Sequence, residues 1–497
     1  MRITNSMMVN SSLANVATNK AQMNALDNQM STQKKITRPS EDPVVAIRAL
    51  RLRSSLTEVT QYLEKNIPDA DAWMKVTEGA LTEVDDMFRD IIEYCNQGSS
   101  DQFETDDRQT IINSLVRIKD SIYAQGNVDY AGRYVFTGYK TDSTLTFTTQ
   151  REAQNKNYTI TEPIDNTGVY LKTVITGGID TNEVKFIDNA DMPKRLDVYA
   201  YKLAYENLSD PTHGDTSFAI SYGYDEDGNP ANSIPAVGML ATDADAYNVG
   251  DDELRFLKDT GELIMGKNIA EQLRDVTDMT ITYDKQGFDK DELKPEHYFT
   301  CTDYTDASAP IEYVKEKNGQ DINYNISYSQ KIKVNTEASD ALSYRIGTDI
   351  DLMEESLSRL SKVEDKIAAI KIKQGQALYA DQDSQKMLAS MLDAANKERD
   401  IARDDLRNLF DQSISKFQKH QSKLDFEISD IGSRGVRLTL TENRLIEQQT
   451  TIKSLKSENE DVELEDIVID YSSAQLIYQA ALQSASKAVR QSLLDFL

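Results

Sequence analysis

Histidine is almost missing from this chain: 497 residues include three, His213, His297 and His420, each far from the others. The commonest general base and metal ligand is therefore scarce, and no His-Glu-x-x-His helix, glycine-rich phosphate loop or nucleophile elbow occurs. Cysteine is as rare. Cys95 and Cys301 have no partner pattern around them, so neither a disulfide framework nor a zinc site is expected, and both read as buried or idle thiols. No apolar run reaches the roughly twenty residues that a membrane-spanning helix needs. The opening MRITNSMMVN lacks an apolar core and a cleavage site, so an ordinary cleaved signal peptide is not expected. Excess positive charge is lacking too, and a net charge of −28 argues against a nucleic-acid partner. Asp225-Glu226-Asp227-Gly228-Asn229 has the wrong spacing for a calcium loop and reads as a turn. Carboxylates are too abundant for counting to exclude a glycosidase-like pair. Still, no catalytic, metal-ligating or cofactor-binding residue is expected, and no cofactor.

What is present concentrates at the two ends. From Ile467 to Leu497 the residues Val468, Gln475, Leu482, Val489 and Phe496 recur every seven positions, and Tyr471, Tyr478, Ala485 and Ser492 form a second row three residues on. Beside this seam Ala474, Ala481 and Ala488 would let a neighbouring backbone come close. Four charges, Asp470, Lys487, Arg490 and Asp495, leave most of the circumference apolar or uncharged, which is no ordinary solvent face. The N-terminal stretch mirrors it. Val9, Val16, Met23 and Met30 fall at seven-residue intervals, with Leu13 and Leu26 in adjoining turns, so Ser6 to Lys35 predicts a helix about 45 Å long. The two end helices should pair, and a pair so small has little apolar area to offset its ordering, so the missing contacts would come from other subunits.

Between the ends, Arg38-Pro39-Ser40-Glu41-Asp42-Pro43 breaks the first helix, and Ser40 can cap a second that starts near Val44 and runs to Leu63. Arg48, Arg51 and Arg53 on that helix read as a solvated or ion-paired face. Two more helices follow, from Asp69 to Asn96 with Trp73 in the core, and from Thr105 to Asn127. Tyr130-Ala131-Gly132-Arg133-Tyr134 and the residues to Thr141 predict a hairpin or extended arm. Alternating stretches at Tyr158 to Ile160, Val169 to Ile175 and Asp278 to Tyr283, with turns at Asp227-Gly228-Asn229 and Asp259-Thr260-Gly261, predict a mostly β region with a helical insert from about Met192 to Asn207. Helix returns from Ile346 to Ala380, weakened at Gly375, then from Gln382 to Ile431, and after Gly432 and Gly435 again from Val436 to Leu455. The expected fold is a discontinuous all-α rod of long antiparallel helices from both chain ends, carrying an inserted, mostly β domain. Its expected division is terminal assembly segments 1–38 and 462–497, helical rod 39–144 and 336–461, and outward-facing β insert 145–335.

Four motifs in this order carry a resemblance. Arg38-Pro39-Ser40-Glu41-Asp42-Pro43, Gly132-Arg133-Tyr134-Val135-Phe136-Thr137-Gly138-Tyr139, Ile431-Gly432-Ser433-Arg434 and the closing Ser492-Leu493-Leu494-Asp495-Phe496-Leu497 resemble the flagellin superfamily, nearest its hook–filament junction members. The resemblance implies a structural, non-enzymatic protein of the bacterial flagellum. It would be exported unfolded through the type III apparatus without a cleaved signal peptide, and it would form a ring with its own copies between hook-associated protein 1 and flagellin. It also implies an export chaperone as partner, and excludes membrane insertion. The assembly seam would be Val9, Val16, Met23, Met30, Val468, Tyr471, Tyr478, Leu482, Val489 and Phe496. Two other readings compete: flagellin itself, and a surface enzyme on a helical stalk.

Overall fold

The computed structural model describes residues 5–209, 218–225, 229–315 and 319–494, with side chains placed for all but residues 5 and 488–494. His213, the centre of the Asp225–Asn229 turn and the closing Asp495-Phe496-Leu497 lie outside the described residues. The chain starts with α1 (Asn5–Thr32), α2 (Pro43–Gln61), α3 (Ile67–Gly98), α4 (Thr105–Gln125) and a small hairpin, β1 (Asp129–Tyr130) and β2 (Arg133–Tyr134). Then come α5 (Gln150–Gln154), β3 (Asn157–Ile164), β4 (Tyr170–Thr176), β5 (Lys194–Lys202), β6 (Ala219–Tyr224), β7 (Pro230–Pro235) and β8 (Val237–Met239). The β region continues through β9 (Leu254–Leu257), β10 (Glu262–Met265), α6 (Lys267–Gln272), β11 (Met279–Gln286), β12 (Thr300–Asp303), β13 (Ile311–Tyr313), β14 (Asn323–Ser327) and β15 (Gln330–Lys333). Helix resumes with α7 (Ala338–Ala341), α8 (Arg345–Gln374), α9 (Gln382–Glu460) and α10 (Leu464–Leu494). Helices from both ends thus bracket a central, mostly β region. Among the described residues no helix is long and apolar enough to cross a membrane.

Two compact units form. One gathers the chain up to Ala70, Tyr324–Ile332 and Val436 onward; the other comprises Asp71–Asn323 and Lys333–Gly435. The second unit holds both large sheets, with strand orders β4-β5-β10-β9-β8 and β13-β12-β3-β11-β6-β7. Within it, Ile179 and Ile187 pack with Val363, Ile367 and Ile370 of α8 and Leu388 and Met391 of α9 in one apolar cluster. A buried ion pair fastens the five-stranded sheet to α8: Lys172 donates to Glu262 at 2.6 Å and to Glu355 at 3.0 Å. Burial alone would raise the Glu262 carboxyl, but Lys172 and Lys202 hold it below the ordinary value. The removal of either partner would strand a charge in the interior.

Three sequence expectations change. The segment around Met192 to Asn207 is not helical but contributes β5, because Val198, Ala200 and Lys202 alternate with Tyr199 and Tyr201, and both strand edges find partners in β4 and β10. The second helix is capped by Asp42, not Ser40. Its carboxylate accepts from the Val44 and Val45 amides at 2.9 and 3.1 Å, and Pro43 takes the first helical position, where its missing N–H costs nothing. Finally, Gly432 and Gly435 do not end a helix: α9 runs unbroken through both. The buried row Phe410, Phe417, Leu424, Ile431, Leu438, Leu445 and Ile452 keeps its seven-residue spacing across the glycines, so packing outweighs their weak propensity.

Two measurements follow. A Cβ at Gly432 or Gly435 would meet no atom within 4 Å. Glycine to alanine at each should therefore stabilise the chain by about 1 kcal/mol, read as a higher urea midpoint. The second concerns Glu162, a fully buried carboxyl on β3 that accepts from Tyr283 Oη and the Ala204 amide at 3.1 Å. Burial pushes it up to about 7, against the lowering effect of these donors. Because the folded value lies above the unfolded one, its stabilisation is complete below the ordinary carboxylate range and is lost as pH rises through 7. By linkage the loss between pH 5 and 8 should amount to about 3 kcal/mol. Urea unfolding of the Glu162→Gln variant should lack that component.

Candidate assembly surface

The end helices meet in the first unit. Two backbone hydrogen bonds join the exit of α1 to the approach of α10, Lys35 N donating to Glu460 O at 2.8 Å and Val462 N to Gln33 O at 3.1 Å, and together they make an antiparallel bridge centred on Lys34 and Asp461. Gln33 makes this possible by taking a left-handed conformation at φ 55°. Glu460 is the centre of the clasp. It receives Arg53 Nε at 2.8 Å and Nη2 at 2.7 Å in a two-pronged pair, and Lys34 lies 3.8 Å away and pairs also with Asp461. The Arg53 hydrogen bonds hold its carboxyl below the ordinary value. Asn459 Nδ2 reaches Val45 O at 3.1 Å, and Gln449 Nε2 reaches Thr60 Oγ1 at 2.9 Å, which fixes α2 beside the end of α9. The connecting loop is set locally: Glu41 folds back to accept the Thr37 amide at 2.8 Å and its hydroxyl at 3.0 Å. Arg38-Pro39-Ser40-Glu41-Asp42-Pro43 is therefore a self-bonded turn ending in a helix cap.

Along the pair, α1 offers Val9, Val16, Met23 and Met30 with Ser12, Asn19 and Leu26, all half-buried; Leu13 faces outward. From α10 the covered row is Ile467, Ala474, Ala481 and, three or four residues away, Tyr471, Tyr478 and Ala485. Of the expected seam, Val9, Val16, Met23, Met30, Tyr471 and Tyr478 are half-buried, while Val468 and Leu482 are exposed. Val489 belongs to α10 without a described side chain, and Phe496 lies outside the described residues. Ile467, Ala474 and Ala481 were not in the expected seam, although the alanine spacing beside it signalled a close approach; Ala485 was in its second row and is buried. The contrast around the helix is steep. Ile467 is 3% exposed and Ile469 63%, with Val468, Leu476, Ile477 and Leu482 also open. An apolar circumference with one face covered is what this surface amounts to.

The second unit holds the Gly132–Tyr139 motif and, among the described residues, His297 and His420. Ala131 and Gly132 turn the β1–β2 hairpin at φ 52° and 78°, and the Arg133 guanidinium lies 4.8 Å from the Trp73 ring centre and 5.9 Å from that of Tyr130. His297 is buried with Nε2 3.1 Å from Thr144 O, and burial pulls its imidazole down to about 4, so at neutral pH it donates that bond uncharged. His420 lies between Phe88 and Phe417, 3.6 Å from Asp349, which also receives Lys416 at 2.6 Å. Cys95 and Cys301 are free and buried, and burial pushes the Cys95 thiol up to about 12, the state of an unreactive thiol. A cavity of about 490 Å³ is lined by both signs of charge, among them Lys119 paired with Asp351 at 2.9 Å and Lys285 with Glu292 at 3.4 Å. Its lining contains no histidine, cysteine or serine. Among the described residues no cluster of three side chains is arranged to hold a metal ion.

Residues 3–141 match the family model of the bacterial flagellin N-terminal helical region. Its similarity extends to flagellar hook-associated protein 3 of Salmonella typhimurium, 27% identical over 207 residues that make up 39% of this chain and 63% of that protein. The Escherichia coli protein of the same name is 28% identical over 146 residues, 29% of this chain and 45% of its own length. The matches therefore span less than two thirds of either curated relative. Among solved structures, the flagellar junction protein FlgL from Legionella pneumophila aligns over 83% of this chain and all of that one, at 10% identity and a TM-score of 0.31.

The clasp generates a prediction. Glu460→Ala should leave Arg53 and Lys34 without their anchor. Amide exchange in α1 and α10 should then accelerate at least about tenfold while α4 and α8 stay as protected as before, measured residue by residue by hydrogen exchange. Because the Glu460 value is depressed, its stabilisation should be present at neutral pH and fade as pH falls through the carboxylate range.

Proposed function

We propose that this chain is a structural, non-enzymatic protein of the bacterial flagellum that forms the junction between hook and filament and presents the surface on which flagellin assembles. The observation that carries the reading is the half-covered α10: Val468, Ile469, Leu476, Ile477 and Leu482 lie exposed on a helix whose other face already rests on α1. Water is a poor environment for such a surface, and sister subunits would remove it from water. The flagellin-type match at residues 3–141 and the two relatives named for association with the flagellar hook support the same role. In this reading 1–38 and 462–497 are the assembly segments, 39–144 and 336–461 the helical body, and 145–335 an outward-facing domain. Partners would be further copies in a ring, hook-associated protein 1 on one side, flagellin on the other and a chaperone during export to the outside of the cell.

Leu482→Asp tests it. The substitution places a carboxylate where a second copy would close, at a cost of about 3 kcal/mol or more if the contact is dry. The variant should keep its helical circular dichroism, yet cells carrying it in place of the native chain should make hooks and shed flagellin into the medium. Normal filaments on such cells would refute the seam. Long filaments grown from the purified chain alone would instead favour a filament subunit.

A further inference from the structure

The first unit carries two exposed faces whose chemistry is complementary. On α2, Val44, Ile47, Arg48 and Arg51 stand at helical spacings of three and four, with Leu50 beside them. Val44 is 58% exposed, Ile47 53% and Leu50 64%. The buried side of the same helix is Ala46, Ala49 and Val59, and Arg53 is the arginine already engaged with Glu460. Arg48 and Arg51 make no side-chain hydrogen bond or ion pair among the described residues. On α10, Asp466, Ile469, Asp470, Ser473 and Ile477 form an outward stripe at helical spacings, and Asp466 and Asp470 make no side-chain hydrogen bond or ion pair among the described residues. This stripe is not the row that faces α1.

We propose that the arginine-bearing face of α2 on one copy seats on the aspartate-bearing stripe of α10 on a second copy, Arg48 and Arg51 toward Asp466 and Asp470, with Val44 and Ile47 packed against Ile469 and Ile477. This rests on the assembly reading above and names the contact. A second copy is the occupant for two reasons. A chain with net charge −28 repels its own copies except where an unpaired basic patch meets an acidic one, and these helices supply both. On α2 the aliphatic Val44 and Ile47 precede the two arginines, and on α10 Ile477 follows the two aspartates, so one antiparallel register brings apolar and ionic contacts together. Exposed ion pairs contribute little to affinity, so the aliphatic side chains supply the buried area and the charges set register and direction. Because the two faces differ, the contact is head to tail. Each joined copy still offers one free face of each kind, so addition continues until a ring closes or a helix extends.

Charge exchange on the full chain decides it. In sedimentation, the unmodified chain should associate as concentration rises and dissociate as salt is added. R48E/R51E and D466K/D470K should each weaken that association at least tenfold with unchanged circular dichroism. The chain bearing all four substitutions, in which the charges are simply exchanged, should recover most of it, as should an equimolar mixture of the two double variants. Loss without recovery in either arm, no effect of either double variant, or an unmodified chain that stays monomeric would overturn the contact. If Leu482→Asp blocks association while both double variants join normally, the seam stands and this face falls. If none of the three changes association, both fall.

Discussion

A helix can hand a single neighbour only about a third of its circumference, and α10 carries apolar side chains beyond that third, Val468, Ile469, Leu476, Ile477 and Leu482. Ile467, Ala474, Ala481 and Ala485 lie on the row of α10 that meets α1, and the alanines let the two backbones approach closely. Everything else about the first unit follows from the surface left over. Its helices are held at their junction, by the clasp of Lys34, Arg53 and Glu460, rather than by a core along their length. The side chains that face each other are mostly half-buried valines, methionines and tyrosines, so the pair is formed but not closed. A surface incomplete in one copy and completable by another is a reason for a protein to exist as an assembly.

The second unit meets the burial problem differently. It spends its ionisable groups internally, in arrangements such as Lys172 with Glu262 and Glu355, Lys416 with Asp349, and Glu162 under Tyr283. Each is a set of polar groups that must be satisfied together or not at all, which gives the β region and the helices packed on it a unique arrangement at some cost in stability. The first unit sets some of its charges at the clasp of Lys34, Arg53 and Glu460 and leaves others exposed, Arg48, Arg51, Asp466 and Asp470 without a partner among the described residues. Its chemistry is thus available to neighbours, and that of the second unit is largely consumed by its own fold.

Helices were legible wherever period and breakers agreed. Val9, Val16, Met23 and Met30 announced α1, and the alanine row of α10 announced close packing. The expected seam named Val468 and Leu482, one residue from the row that α1 covers. Two adjacent rows at the same spacing are indistinguishable until a neighbour chooses one, and here α1 lies on the row of Ile467, Ala474 and Ala481. The same logic explains Gly432 and Gly435. As local signals they predict a break, but an unbroken buried row from Phe410 to Ile452 outvotes them. The β5 segment was misread for the converse reason: its Ala, Lys and Leu favour helix while its Tyr and Val favour strand, and pairing on both edges decides the conformation.

By itself the sequence determined the period of its helices, the turn chemistry at Asp42-Pro43 and Gly132, the charge-poor ends, and the nested order of helix, strand and helix. These are local properties, set by side-chain spacing and backbone preference within a few residues. Tertiary structure alone decided which row of α10 is covered, that Glu460 would anchor two cations from 400 residues away, and that Arg48 and Arg51 would be left open while Arg53 was taken. Those outcomes depend on which surfaces meet across the chain, and no window of sequence contains that information.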